Sequence, residues 1–312
     1  MEQVNTEHLP HFVQPMKFTR FKGIFMVLAG ATLWGLSGTA AQVLMQRDGF
    51  DLGWLVTLRM GISGLLLLVI VSFGQGIRHI VNVWRNPVDA FRLILFAIVG
   101  LLGVQYSYFA AIQTGNAATA TLLQYLGPVF ITIYVALRMK KMPTWKQQYA
   151  VILAVIGTAL LVTNGNFQGL SISGGALTWG LISAFTAAFY TLYPKHLIER
   201  YGAATIVGWA MFLGSIGLSF KSPIWRFPGH RSLNAWFLVM FVVLFGTLIA
   251  FYLYIASLRF ISASETSLLG CAEPLSAAIV SMTFLNVNIN TLGWLGGACI
   301  LGTVIILARN PS

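Results

Sequence analysis

Arg59 and Glu273 are side chains of opposite charge set inside long apolar runs, and their chemistry suits binding rather than bond-making. Charge in such a place is costly, so it is retained where it pairs, meets backbone carbonyls or holds a ligand. A guanidinium such as Arg59 suits a carboxylate, and a carboxyl such as Glu273 suits a proton or an ammonium group. The structural alternative is an ion pair between the two, or separate hydrogen bonds to backbone. Around them fall side chains that join an apolar body to a polar tip: Trp34, Gln105, Tyr108, Gln124 and Tyr125. A buried amide must find a partner in protein, water or ligand, which makes Gln105 and Gln124 candidate contacts. Residues two apart on a helix point in roughly opposite directions, so only one of Tyr106 and Tyr108 faces a shared cavity. Pro128 and Pro274 also lie within apolar runs. There each removes a backbone donor and frees the carbonyl four residues earlier, at Gln124 and Gly270.

Covalent or metal chemistry has no comparable support. The chain contains no Walker A sequence, no HExxH and no GxSxG. Cys271 and Cys299 have no metal-ligand spacing and read as packing residues, while His79, His196 and His230 each stand apart from acidic or cysteine clusters. No cofactor and no metal are expected.

The elements that must position these residues follow from composition. With 57% hydrophobic and 9% charged residues, the chain departs from soluble domains, in which charged residues make up roughly a quarter. The lipid bilayer is its solvent, and lipid forces the backbone to satisfy itself in helices or a closed barrel. Runs such as Leu65 to Phe73 lack a barrel's period-two alternation, so helices are expected. At about 20 residues per span, ten fit: 23–45, 53–73, 91–112, 116–138, 146–163, 175–197, 203–220, 233–258, 262–285 and 290–308. Arg59 and Glu273 then both fall within a few ångströms of the midplane, at about 1.5 Å per residue. Lys17 to Lys22 followed by an apolar run mimics a signal peptide, but the run is longer than an h-region and reads as a retained first helix.

Lys and Arg number 19 against 8 Asp and Glu, and their placement argues against a nucleic-acid partner. Connections on one side hold fourteen of them, from Lys17 to Arg309, while the other side holds only Arg47, Lys221, Arg226 and Arg231. The positive-inside rule places both termini in the cytoplasm. Residues 221–232 are the exception, basic on the outside, with Trp225 and Phe227 suited to an interface.

Residues 100–128 and 246–274 align without a gap at a constant offset of 146 residues. Tyr106/Tyr252, Tyr108/Tyr254, Ala117/Ala263, Leu122/Leu268 and Pro128/Pro274 are among the matches. An internal duplication explains them. The expected architecture is therefore an all-α membrane protein: a tail at 1–22, a five-helix repeat at 23–164 and a second at 165–312. With an odd number of spans, the second repeat enters the bilayer inverted, and broken helices at matching positions point to a site between repeats. Small residues at Asn116 to Thr121 and Ser262 to Ser267 permit close approach there, and the GxxxG of Gly293 and Gly297 serves internal packing or a homodimer contact.

These residues resemble the ten-helix, EamA-like permeases of the drug/metabolite transporter superfamily. The resemblance runs from about Lys22 to Arg309 and rests on several short motifs. They are Trp34-Gly35, Arg59 with Gly64, Leu123-Gln124-Tyr125-Leu126-Gly127-Pro128, Glu273-Pro274 and Gly293-Trp294-Leu295-Gly296-Gly297. It implies a central cavity, alternating access and, often, export of amino acids or other small metabolites. Acidic residues that such permeases carry soon after the fourth and ninth spans are missing here, where Arg138-Met139-Lys140-Lys141 and Asn286-Val287-Asn288-Ile289-Asn290 stand.

The resulting expectation is a multi-pass plasma-membrane permease that moves a small-molecule substrate outward. Arg59 and Glu273 would set charge selectivity. Trp34, Gln105, Tyr108, Gln124 and Tyr125 would contact the substrate, and Pro128 and Pro274 would shape the site. The competing readings are a polytopic enzyme acting on lipid and a non-transporting membrane sensor.

Overall fold

A computed structural model describes residues 17–140, 142–163, 172–227, 232–257, 259–261, 266 and 269–309. Most of the N-terminal tail, along with His230, Arg231, Ala263, Glu265 and Leu268, lies outside these residues. Every regular element among the described residues is a helix.

The helices occupy the apolar runs of the sequence. Among the described residues, six are long and apolar enough to cross a membrane: Arg20–Gln46, Leu52–Gln75, Pro87–Thr114, Ala117–Arg138, Gly174–Leu192 and Leu233–Tyr254. Lys195–Tyr201 and Ala203–Ser219 form a pair bent by 118°, and Ala272–Leu285 and Thr291–Ile306 are shorter apolar helices. Trp145–Thr163 fills the remaining expected range. The sequence suggested one helix over 175–197, whereas the chain turns at Leu192 and starts again at Lys195. The next bend falls at Gly202, whose φ of 83° is open to glycine and costly for other residues.

Polar residues at the run edges start the helices by accepting otherwise orphaned N–H groups. Asp51 accepts from Trp54 N at 2.7 Å, Asn116 from Thr119 N at 2.8 Å, and Ser173 from Ala176 N at 3.0 Å.

The offset of 146 residues also runs through backbone conformation. Asn86 caps the helix at Pro87 and Ser232 caps the one at Leu233. Each helix then widens into a π segment, over Phe96–Leu102 and Phe241–Ile249. A turn interrupts the next helix at Tyr125 and Leu126 in one half and at Cys271 in the other. Lys140 and Asn286 share the left-handed conformation, with φ of 50° and 53°, and each ends its helix.

Pro128 and Pro274 are not placed mid-helix as the sequence suggested. Each sits in the first turn of a new segment, Gly127–Met139 or Ala272–Leu285. A proline there lacks only an N–H that would be orphaned anyway, so a break costs less than a kink.

Small residues bring the helices together, the usual means where lipid supplies no hydrophobic drive. A Cβ on Gly64 would lie 2.7 Å from Phe212 N and 2.9 Å from Gly208 O. One on Gly157 would lie 2.8 Å from Gly296 O, and one on Gly35 would lie 2.6 Å from Glu273 O. In the last helix the tight contact is thus made by Gly296, while Gly297 faces Leu122 inside the protein.

Candidate functional site

The helices enclose a cavity of ≈ 720 Å³ whose walls include Trp34, Arg59, Gln105, Tyr108, Gln124, Tyr125, Pro128 and Glu273. That volume suits a small-molecule ligand. Pro274, the remaining residue singled out from sequence, is buried and does not line it.

Arg59 and Glu273 do not pair with each other among the described residues. The Arg59 side chain leaves only 4% of the residue exposed. Its Nε donates to Thr247 Oγ1 at 3.1 Å, and its guanidinium lies over the Phe109 ring at 4.4 Å. Backbone geometry explains the first contact. Thr247 belongs to a π segment, and its hydroxyl donates to Val242 O five residues back at 2.9 Å. Its lone pairs therefore remain available to Arg59, an arrangement that fits the frequent occurrence of π-bulges at functional sites.

Glu273 Oε2 accepts from the Tyr125 hydroxyl at 3.3 Å, and that hydroxyl also reaches Gly270 O at 2.6 Å. The Gly270 carbonyl, left free where the helix breaks at Cys271, is thus satisfied by a side chain from the other half. Tyr125 stands at the matching break, so the two interrupted helices meet at this point.

Of the tyrosine pair, Tyr108 lines the cavity and Tyr106 packs against Trp179, with ring centroids 5.9 Å apart. Their partners at the 146-residue offset divide in the same way. Tyr254 lines the cavity, whereas Tyr252 is 56% exposed on the outer surface. The Tyr108 hydroxyl shares a 2.8 Å hydrogen bond with Thr121 Oγ1, and Gln124 Nε2 donates to Ser183 Oγ at 2.8 Å. Trp34 packs against Phe251 and Tyr254 at centroid distances of 5.0 and 5.1 Å. Gln105 is buried and has no hydrogen-bond partner among the described residues.

One end of the cavity reaches Gln147, Thr191, Ile198 and Ala203, beside the Lys- and Arg-rich connections. No wall residue comes from the opposite connections at 46–52, 112–117 or 221–227.

The EamA-like transporter family model matches residues 21–163 and again 174–309. The chain belongs to the EamA-like transporter family. YicL of Salmonella typhimurium, named an uncharacterized inner membrane transporter, is 39% identical over 92% of this chain and 95% of its own length. YyaM of Bacillus subtilis, named an uncharacterized transporter, is 24% identical over 88% and 86%. A crystal structure 18% identical to this chain shares the fold, with a TM-score of 0.58 over 94% of this chain and 98% of its own. This EamA-like protein is thus a multi-span membrane transporter, a class distinct from enzymes.

Sequence reasoning missed several groups of this EamA-like transporter. Thr247, Ser183 and Thr121 hold the site's polar side chains, but isolated hydroxyls in apolar runs usually bond to the preceding turn, so nothing singled them out. Tyr254 was legible as the repeat partner of Tyr108. Asp89 was overlooked altogether. It is 1% exposed at the basic end, where Arg200 Nη1 and the Tyr201 hydroxyl reach Oδ2 at 2.9 and 2.8 Å. Arg92 lies 3.6 Å away and His196 3.8 Å.

Proposed function

We propose that this transporter is a ten-span plasma-membrane permease, built from two inverted five-helix repeats with both termini cytoplasmic. It moves a small polar or amphipathic metabolite bearing an anionic group, outward, by alternating access. The observation that carries this reading is the state of Arg59. Its Nε is engaged by Thr247 and its face by Phe109, yet this buried guanidinium lines the cavity with no carboxylate at ion-pair distance among the described residues. Such a group is costly unless something completes it, and a substrate anion would.

Glu273, held by Tyr125, stands in the same cavity as a proton or ammonium site. The aromatic walls formed by Trp34, Phe251 and Tyr254 suit an amphipathic solute. The offset shared by caps, π segments, breaks and left-handed ends supports duplication. Five spans per half would then require inversion. The name of YicL as an inner membrane transporter supports a plasma-membrane location.

The test is counterflow into liposomes carrying the purified protein, with a mixed panel of labelled amino acids and small organic acids. Protein-dependent accumulation of an anion-bearing solute is expected. Saturable binding without flux would replace the permease with a sensor.

A further inference from the structure

We infer that Gln42 and Gln46 form a latch that closes the end of the bundle opposite the cavity mouth and so sets the side on which the empty protein rests open. This rests on the alternating-access reading above. In the proposed orientation, the latched end faces outside.

Gln46 Nε2 shares its two hydrogens among three carbonyls, Ile112 O at 2.9 Å, Gln113 O at 3.2 Å and Gly115 O at 2.8 Å. Gln42 Oε1 accepts from Ala117 N at 2.9 Å, and Gln42 Nε2 ties the pair together through Gln46 Oε1 at 3.1 Å. The groups they satisfy are of a particular kind. Ile112 and Gln113 lie in the last turn of the Pro87–Thr114 helix, where Ile112 O also accepts Gly115 N at 3.3 Å, and Ala117 begins Ala117–Gln124, so these are backbone groups at helix ends, where partners within the helix run short. One helix, Lys17–Gln46, thus holds both sides of a turn that must swing away if the cavity is to open at this end. Gln42 is buried and Gln46 is exposed, so water can replace the outer bonds and the latch can release.

Among the described residues the other half shows no such glutamine pair. The first helices of the two halves match at Trp34-Gly35-Leu36 and Trp179-Gly180-Leu181, 145 residues apart, which pairs Gln42 with Ala187 and Gln46 with Thr191. Alanine offers no side-chain hydrogen bond, and the Thr191 hydroxyl donates within its own helix to Ala187 O at 2.8 Å. Among the described residues the two first helices therefore differ by one polar latch. That asymmetry biases the empty protein toward the state described here, sealed at the glutamines and open at the basic end.

Accessibility tests this without any substrate. A Val104→Cys reporter on the cavity wall, in a Cys271→Ala/Cys299→Ala background, is labelled with a membrane-impermeant maleimide in right-side-out cells and inside-out vesicles. The reporter should react fast from the cytoplasmic side and slowly from outside. Gln42→Met with Gln46→Ala should raise the external rate about tenfold, equivalent to ~1.4 kcal/mol, with unchanged detergent monodispersity. Gln46→Ala alone, at an exposed position, should raise it less and guards against a misfolded double variant. An unchanged external rate in both variants overturns the latch, and faster external than cytoplasmic labelling in the parent overturns the resting state. Absence of flux for every solute would defeat the permease reading instead, and labelling would still report on the latch.

Discussion

Replacing Arg59 with Gln should abolish recognition of the substrate's anionic group while leaving neutral solutes nearly untouched. The guanidinium has five N–H donors. Thr247 takes the one on Nε, at 3.1 Å, and the face of the group is stacked on Phe109. The donors on the two terminal nitrogens remain for a ligand, in a fork that fits a carboxylate. A hydrogen bond to a charged partner contributes about 1.5–3 kcal/mol. At 1.4 kcal/mol per tenfold, its loss should raise the apparent KM roughly 10- to 140-fold. The fold should tolerate the change, since removing a buried charge also removes the cost of keeping it from water. The assay is counterflow with each accumulated acid and its primary amide, in parent and Arg59→Gln liposomes. Transport of the amide should change less than about threefold, below the smallest effect of losing one charged hydrogen bond. Equal loss for acid and amide would show that Arg59 only supports the fold, and an unaffected acid would remove it from the site.

Glu273→Gln should make transport equal with and without an imposed pH gradient while the parent responds to it, since the amide cannot carry the proton. A variant with parental behaviour would sink proton coupling through this residue. Gly35→Ala should lower stability by ~1–3 kcal/mol, because its Cβ would lie 2.6 Å from Glu273 O and 2.8 Å from Ala277 N. Gly74→Ala, which meets nothing within 4 Å, is the control, and matching melting temperatures for the two would refute the close-approach argument. Arg200→Gln should cost roughly 1–3 kcal/mol, because it removes the countercharge 2.9 Å from buried Asp89. Arg92→Gln, at 3.6 Å and beyond hydrogen-bond distance of Asp89, should cost less than about 1 kcal/mol. Thermal unfolding of both variants in detergent checks the order.

Side-chain chemistry and local periodicity were enough to find the helices and the two charged residues, Arg59 and Glu273, that line one cavity. Apolar runs near 20 residues leave little choice but a spanning helix when backbone groups cannot reach water. The repeat was legible because an offset in sequence needs no coordinates, and it proved deeper than the residue matches, extending to π segments and left-handed helix ends. Where the sequence reading slipped, the competing cause was local. Pro128 and Pro274 read as helix breaks within single spans, but each lies just after its break, in the first turn of a new segment that begins at Gly127 or Ala272.

The sequence by itself determined that this chain crosses a membrane as helices, that its two halves share one pattern, and which few polar residues lie deep in apolar runs. Only the tertiary structure decided that Arg59 meets Thr247 and Phe109 rather than Glu273, that Tyr125 satisfies the carbonyl of Gly270, and that two glutamines clamp a turn more than sixty residues away. Periodicity fixes which way a side chain leaves its own helix. Which neighbour it meets depends on helix separation and rotation, and these are set by contacts such as Gly35 on Glu273 and Gly157 on Gly296, distant in sequence and invisible to any local pattern.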